Sequence, residues 1–400
     1  FGAVAQAYGD NSPILLLPGG YDRDRQDIHP NFQATQNFGK VSKWVAEVNR
    51  ADRVPQMMQR AFTLLRSGRG GPVMLEVPTD VMQEELPAEL LQGYIPPKRS
   101  APQADPEAVR RLVQTLLSAQ SPIIVAGQGI FSAEAWPELQ ELAELLQIPV
   151  MTTMNGKSCF PENHSLALGA GGASRPRPVS HFLDRADLVL GIGTSFTRSP
   201  YITAIPPGKT MLQVTLNEDD ISKDYPIHQG VIGDAKPALR QIIAESQKQL
   251  PGWSRPGSET MAQDIARIKE AFLQEWMPRL SSDERPISPY RIIQELMQTV
   301  DRKKTVVTHE AGNPRDQILP FYEALVPHGY MGWGKTTQLG TSLGLMMGAK
   351  LAAPDWTAVN IMGDGAFGMV GMDFETAVRN RIPILTIVLN NGLLGGYDHH

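Results

Sequence analysis

The sequence predicts an α/β fold of three doubly wound parallel sheets, of which the first and the last are incomplete. Two observations lead to this class. Short apolar runs alternate with segments of helical apolar spacing along most of the chain. The 400 residues are also 42% hydrophobic and 20% charged, which allows two or three apolar cores. We expect domains at residues 1–90, 104–250 and 285–400.

The first block contains two apolar strands, predicted at residues 13–17 and 72–78, with a helix at 53–65 between them. The Pro18-Gly19-Gly20 segment predicts a loop at the carboxyl end of the first strand. A Pro-rich stretch at 87–106 indicates a linker.

The second and third blocks repeat this alternation of strands and helices, which predicts two further parallel sheets. Glycine-rich segments at 127–129, 169–172 and 193–196 have the composition of turns at strand ends. In the second block strands are expected at 122–126, 148–151, 187–192 and 210–214, and helices at 106–117, 133–146 and 236–244. In the third block helices are expected at 289–299, 334–352 and 369–379, and strands at 305–308, 357–362 and 384–389.

Composition argues for a small-molecule partner in the cytoplasm. The formal net charge of -5 and the scattered Lys and Arg residues provide no basic field for nucleic acid. Cys159 is the single cysteine, so no intrachain disulfide can form. No apolar run approaches the roughly 20 residues of a membrane span. The start at Phe1 and the end at His399-His400 suggest a fragment, and two neighbouring histidines alone make a poor metal site.

The third block carries the residues that point to chemistry. Asp364 and Asn391 each follow a predicted strand, and a right-handed strand-helix-strand unit brings both strand ends to one sheet edge. Carboxylate and amide oxygens are hard ligands that suit Mg²⁺, which commonly bridges phosphate groups. Gly363 and Gly365 let backbone amides approach such phosphates, because neither carries a side chain. Taken singly, each segment could equally be an ordinary turn.

These segments together are a more specific signal of a cofactor site than any one of them alone. Gly363-Asp364-Gly365, the 24 residues at 366–389 and Asn390-Asn391 match the cofactor motif of the thiamine-diphosphate-dependent enzymes. The whole chain resembles the acetolactate synthase-like branch of that family, whose members have pyrimidine-binding, central and diphosphate-binding domains in this order. Residues 67–81 resemble the end of the pyrimidine-binding domain.

This resemblance implies a magnesium site and a cofactor loop. Asp364, Asn391 and the main-chain carbonyl of Leu393 are expected to hold Mg²⁺. Gly363 belongs to the same loop, in which the amides of Gly365 and Ala366 are expected to approach the diphosphate.

Two further residues are assigned through the resemblance. Asn313, in the segment 310–313, is a candidate amide donor to the diphosphate, and the alternative is a turn with an exposed Glu310. Leu339 corresponds to the bulky apolar residue that bends the cofactor. Taken alone, Leu339 would be a core residue.

The resemblance also implies that part of the active site lies elsewhere. The glutamate that activates the cofactor is expected upstream of Phe1, so the catalytic residues are unknown. Residues 18–20 and 32–36 correspond to segments that line the site of a partner subunit, which predicts a homodimer or homotetramer with active sites at subunit interfaces. Lys43 is either a substrate contact or a solvated charge.

The predicted function is decarboxylation of a 2-oxo acid and carboligation through a C2 carbanion and an enamine. Residues 32–36 and 390–395 depart from the acetolactate synthase pattern, so a simple 2-oxo acid decarboxylase, an acyl-CoA lyase-type enzyme and another carboligase stay open. A non-catalytic cofactor-binding relative and an unrelated magnesium-dependent phosphate-ester enzyme also stay open. In the central domain the glycine-rich segments are compatible with FAD, but 193–196 lacks the Arg-Phe-Asp pattern that we associate with FAD binders, which disfavours a flavin.

Overall fold

A computed structural model describes residues 1–92, 94–253 and 255–394. Its strands form three sheets, and the pairings within them are parallel. The predicted α/β class is therefore confirmed. The chain divides into two compact units, one with Phe1–Ser100 and Lys335–Gln338 and one with the remainder. The domain limits expected from the sequence stay a prediction, and His399 and His400 lie outside the described residues.

The first unit is built around one parallel sheet. Its helices and strands are α1 (Gly2–Gly9), β1 (Leu15–Leu16), β2 (Gly19–Gly20), α2 (Ala34–Phe38), β3 (Trp44–Glu47), α3 (Val54–Arg66), β4 (Val73–Pro78) and α4 (Thr79–Met82). Strand β4 pairs with β1, β2 and β3. The strand expected at 13–17 is confined to two residues, since Pro13 and Pro18 on its flanks have no amide hydrogen to donate.

The second unit begins with a six-stranded sheet. Its elements are α5 (Pro106–Ser118), β5 (Pro122–Ala126), α6 (Gly129–Ala133), α7 (Trp136–Leu146), β6 (Val150–Thr153), β7 (Ala167–Gly171), α8 (Arg177–Arg185), β8 (Leu188–Ile192), β9 (Thr210–Thr215), β10 (Gln229–Ile232) and α9 (Ala235–Gln249). The strand order is β10-β9-β8-β5-β6-β7, so the direction of winding reverses between β5 and β8. Both of these strands are fully buried.

The helix predicted at 106–117 is observed, whereas the turn predicted at 169–172 is not. Helix α5 begins where Asp105 accepts a hydrogen bond from the amide of Glu107 at 3.2 Å, and Pro106 occupies its first turn. The turn expected at 169–172 is largely wrong, because Ala167–Gly171 forms an edge strand that pairs with β6.

The third sheet contains β11 (Thr305–His309), β12 (Tyr330–Met331), β13 (Thr357–Gly363) and β14 (Leu385–Leu389) in the order β12-β11-β13-β14, and it carries the predicted cofactor residues. Beside it lies a 20-residue helix, α10 (Met261–Leu280), that the apolar spacing of the sequence did not predict. The elements are α10 (Met261–Leu280), α11 (Pro289–Thr299), β11 (Thr305–His309), α12 (Asn313–Ile318), β12 (Tyr330–Met331), α13 (Thr341–Ala352), β13 (Thr357–Gly363), α14 (Asp364–Val370), α15 (Phe374–Arg379) and β14 (Leu385–Leu389).

Two predicted helices differ from those observed. The helix expected at 334–352 begins only at Thr341, because Gly334 and Gly340 have φ values of 142° and 91°, which a right-handed helix excludes. The helix expected at 369–379 starts earlier, at Asp364, and a 3₁₀ turn at Gly371–Asp373 interrupts it. Across the part of the chain that the structure describes, no helix combines the length and apolar character needed to cross a membrane.

Candidate cofactor site

The carboxyl ends of three neighbouring strands form one edge of the third sheet. Strand β13 lies between β11 and β14, with His309 opposite Ile361 and Gly363 opposite Leu389. The residues that follow these strands are therefore neighbours, although they are far apart in the sequence. Gly363 is the last residue of β13, and the other predicted cofactor residues follow β11, β13 or β14, except Leu339, which precedes α13.

Asp364 and Asn391 converge at this edge as the sequence predicted. The backbone amide of Asn391 donates a hydrogen bond to Oδ1 of Asp364 at 3.4 Å. Asp364 is half-buried at the first position of α14, whereas Asn391 is exposed. The structure thus places the Asp364 carboxylate beside the loop that carries the Asn391 side chain, so two groups with oxygen atoms lie at the same sheet edge.

The loop after β14 is folded by its own asparagines. The amide of Leu393 donates to Oδ1 of Asn391 at 3.0 Å, and the amide of Gly392 donates to Oδ1 of Asn390 at 3.2 Å. A Cβ atom on Gly365 would lie 2.9 Å from Cδ1 of Leu394, so this loop approaches the α14 backbone closely. The roles of Gly363, Asp364, Gly365, Ala366, Asn391 and Leu393 toward a ligand stay predictions.

No cluster of three or more His, Cys, Asp or Glu side chains within residues 1–92, 94–253 and 255–394 is arranged to hold a metal. Asp364 would be the single acidic ligand at this edge, together with neutral oxygens of Asn391 and Leu393. This donor set fits Mg²⁺ that takes its other oxygens from a diphosphate and from water.

Glu310 follows β11 and is completely buried. The alternative of a turn with an exposed glutamate is therefore wrong. Its carboxylate accepts hydrogen bonds from the amides of Ala311 at 2.8 Å and Gly340 at 3.1 Å, and from the Ser342 hydroxyl at 2.6 Å. Burial raises the pKa of Glu310, while these hydrogen bonds act in the opposite direction. Asn313 is half-buried at the start of α12, and its predicted contact with the diphosphate stays a prediction.

Leu339 lies at the amino end of α13. It is half-buried and immediately precedes Gly340, the N-cap residue of that helix. A Cβ atom on Gly340 would approach Cγ1 of Val370 to 2.3 Å, so the start of α13 lies against the end of α14. Leu339 is thus close to the helix that begins at Asp364, and its role as the residue that bends the cofactor stays a prediction.

A buried aromatic stack next to this edge was not predicted. The ring of His309 lies 5.3 Å from that of Trp333 at an interplanar angle of 10°, and the indole Nε1 donates to the His309 carbonyl at 2.9 Å. His309 is fully buried, and burial lowers its pKa to about 3. The imidazole is therefore neutral at physiological pH.

Acid should destabilise the protein through His309. The unfolded chain binds a proton at this residue below its ordinary value of 6.5, whereas the folded chain does not until about pH 3. Stability should therefore decrease as the pH falls from 6.5 toward 3, by at most about 1.4 kcal/mol per pH unit. His309→Phe should have a flatter stability profile over this interval in urea unfolding. The exposed His228→Phe is the control, and identical profiles for wild type and His309→Phe would contradict the prediction.

In the first unit, Lys43 has a structural role that neither earlier interpretation anticipated. Its Nζ donates to the carbonyls of Leu64 at 2.6 Å and Ser67 at 2.8 Å, at the end of α3. A cation at a helix carboxyl end satisfies carbonyls that have no partner within the helix. The interpretation of Lys43 as a solvated charge is therefore wrong.

Comparison with known proteins identifies the family. The model of the thiamine pyrophosphate enzyme central domain matches residues 109–242, and the model of the C-terminal TPP binding domain matches residues 310–400. Together they match more than half of the chain. The chain belongs to the thiamine pyrophosphate enzymes. Their cofactor is the thiamine diphosphate that the motif in the third block predicted.

The relatives of this thiamine pyrophosphate enzyme support the predicted branch. A probable acetolactate synthase large subunit of Methanococcus aeolicus is 28% identical over 98% of this chain and 68% of that protein. A glyoxylate carboligase of Escherichia coli O157:H7 is 28% identical over 98% of this chain and 66% of that protein. The acetolactate synthase isozyme 3 large subunit of Escherichia coli K12 is 27% identical, with coverage of 98% and 69%. The chain spans about two thirds of the length of these relatives.

Proposed function

We propose that the protein is a thiamine-diphosphate-dependent decarboxylase and carboligase that acts on a 2-oxo acid. The observation that carries this proposal is the register of β13 and β14, which aligns Gly363 with Leu389 and brings Asp364 to Asn391 within a matched cofactor-binding domain. Relatives named acetolactate synthase and glyoxylate carboligase support carboligation as the reaction class. Bound thiamine diphosphate supplies the electron sink for loss of carbon dioxide.

In this proposal the chain binds and orients the cofactor at the edge of the third sheet. Asp364, Asn391 and the Leu393 carbonyl hold Mg²⁺, and the amides of Gly365 and Ala366 approach the diphosphate. Asn313 adds a polar contact from the neighbouring strand end. The neutral His309 and the buried rings beside it help to exclude water from this side of the site.

We propose that the central domain carries no flavin. The amides of Gly127 and Gly129 donate to the carbonyls of Ile192 and Gly193, each at 2.9 Å, at the point where the sheet reverses direction. A Cβ atom on Gly127 would lie 2.3 Å from the Gly193 carbonyl oxygen, so little room remains between these loops for a diphosphate. Purified protein should therefore lack the visible absorption of flavin. A stoichiometric flavin spectrum would contradict this.

We propose that the active protein is a homodimer or homotetramer with active sites at subunit interfaces. The segment after Asp364 exposes several large apolar side chains, namely Met369, Met372 and Val378. Large apolar side chains exposed within one segment are typical of surfaces that become buried in an assembly. Light scattering at micromolar concentration should give at least twice the mass of the chain. A monomer at that concentration would count against the assembly.

Incubation of the full-length protein with pyruvate and with glyoxylate, followed by product identification, tests the function. Carbon dioxide release with a carboligated product, dependent on thiamine diphosphate and Mg²⁺, is expected. Aldehyde without ligation would indicate a simple decarboxylase, and turnover only with acyl-CoA substrates would indicate a lyase. Cofactor binding without any turnover would favour a non-catalytic relative. A cytoplasmic location and the lack of a nucleic-acid or membrane partner stay predictions.

A further inference from the structure

Helix α13 has no capping side chain of its own, because its N-cap residue is Gly340. The carboxylate of Glu310, 30 residues earlier in the sequence, acts as the missing cap. Its Oε2 accepts from the amide of Gly340 at 3.1 Å, the amide of Ser342 at 3.3 Å and the hydroxyl of Ser342 at 2.6 Å. The first amides of a helix lack partners within the helix, so a carboxylate here satisfies them as an N-cap side chain would.

The carboxylate is itself held in place. Its other oxygen accepts from the amide of Ala311 at 2.8 Å, and the backbone amide of Glu310 donates to the Ile361 carbonyl at 2.7 Å. Glu310 thus joins the ends of β11 and β13 to the start of α13. The amino end of a 12-residue helix also favours the anionic form of this buried group.

We propose that Glu310 is a positioning residue that acts through Leu339. Leu339 directly precedes the capped Gly340, so the carboxylate fixes the backbone from which the Leu339 side chain projects. This inference rests on the proposed function and on the predicted role of Leu339 as the residue that supports the bent form of thiamine diphosphate. Glu310 need not touch the cofactor, because its contacts act on the helix that carries the supporting residue.

A purely structural cap would stabilise the fold without affecting the bound cofactor. The positioning role and the structural role predict different results when thiamine diphosphate is saturating. A positioning role predicts slower exchange of the cofactor C2 proton with deuterium, since misplacement of the support alters the geometry of proton removal. A structural role predicts only a lower melting temperature of the cofactor-free protein.

The test combines Glu310→Gln and Leu339→Ala in a double-mutant cycle on the purified full-length protein. Three quantities are measured: C2 proton exchange by NMR at saturating thiamine diphosphate and Mg²⁺, the Kd of thiamine diphosphate, and the melting temperature without cofactor. Each single variant should slow exchange by about tenfold to a hundredfold, with a smaller change in Kd. The double variant should be no slower than Leu339→Ala, because both changes act through one element.

The controls keep the test decisive. Glu295→Gln removes an exposed carboxylate that pairs with Arg291 on α11, and it should leave exchange unchanged. If Glu310→Gln does not fold, Ser342→Ala removes one donor of the cap and should slow exchange in the same direction. Additive effects in the cycle, or wild-type exchange in folded Glu310→Gln, would overturn the proposal.

The outcome also separates this inference from the proposed function. If the wild-type protein did not bind thiamine diphosphate, both would be overturned. If it bound the cofactor and catalysed carboligation while Glu310→Gln exchanged normally, only the positioning role would be overturned.

Discussion

Asp364→Ala is expected to abolish the magnesium-dependent binding of thiamine diphosphate. The carboxylate is the single acidic group among the predicted metal ligands, and its Oδ1 also accepts from the Asn391 amide at 3.4 Å. Without it, a divalent cation would have only neutral protein oxygens and the diphosphate itself. We expect the Kd to rise at least about a hundredfold, which corresponds to roughly 2.8 kcal/mol.

A matched substitution separates the metal site from general charge effects. Asp373 is exposed in the 3₁₀ turn that follows α14, so Asp373→Ala removes the same charge nearby without removing a predicted ligand. Calorimetric titration of both variants in the presence of Mg²⁺ provides the comparison. Equal affinities for wild type and Asp364→Ala would contradict the magnesium assignment.

Lys157→Met is expected to lower the free energy of unfolding by several kcal/mol. Lys157 and Glu162 form an ion pair with an Nζ to Oε2 distance of 2.5 Å, and their side chains are 1% and 7% exposed. Removal of one partner from a buried pair leaves an uncompensated charge, which typically costs about 3–5 kcal/mol. The remaining Glu162 would keep a hydrogen bond from the amide of Ala324 at 2.7 Å, which offsets part of this cost.

Urea unfolding measures the effect, with an exposed lysine as the control. Lys248 is 72% exposed and pairs with Glu245, so Lys248→Met should lower the free energy of unfolding by at most about 1 kcal/mol. Simultaneous replacement of Lys157 and Glu162 with Met and Leu should recover part of the loss, because no unpaired charge is then buried. Equal losses for Lys157→Met and Lys248→Met would show that the buried pair does not stabilise the fold.

The sheet edge could be predicted because the order of strands and helices along the sequence determines it. Alternating apolar strands and helices imply parallel pairing, and right-handed crossovers then bring successive strand ends together. These rules predict the convergence of Asp364 and Asn391 from the sequence alone. It failed for α10, where only Ile265, Ile268, Phe272 and Leu280 of 20 residues are buried and the apolar stripe is correspondingly sparse.

The contacts around the site could not be predicted because they depend on tertiary packing. Glu310 caps a helix 30 residues further along, and Ser158 donates to the Tyr330 carbonyl across 172 residues. Contacts between residues so far apart leave no periodic pattern in the sequence. Lys43 is a similar case, since the carbonyls that it contacts become neighbours only after α3 and β4 have packed. Residues that function through distant partners are therefore the ones that sequence reasoning missed.

Titration calorimetry of the wild-type protein with thiamine diphosphate tests the central claim most directly. In the presence of Mg²⁺ we predict saturable binding with one site per chain, and loss of that binding when the cation is removed by a chelator. Absence of binding, or binding of equal strength with and without Mg²⁺, would contradict the assignment of the Gly363-Asp364-Gly365 and Asn390-Asn391 segments as a magnesium and diphosphate site.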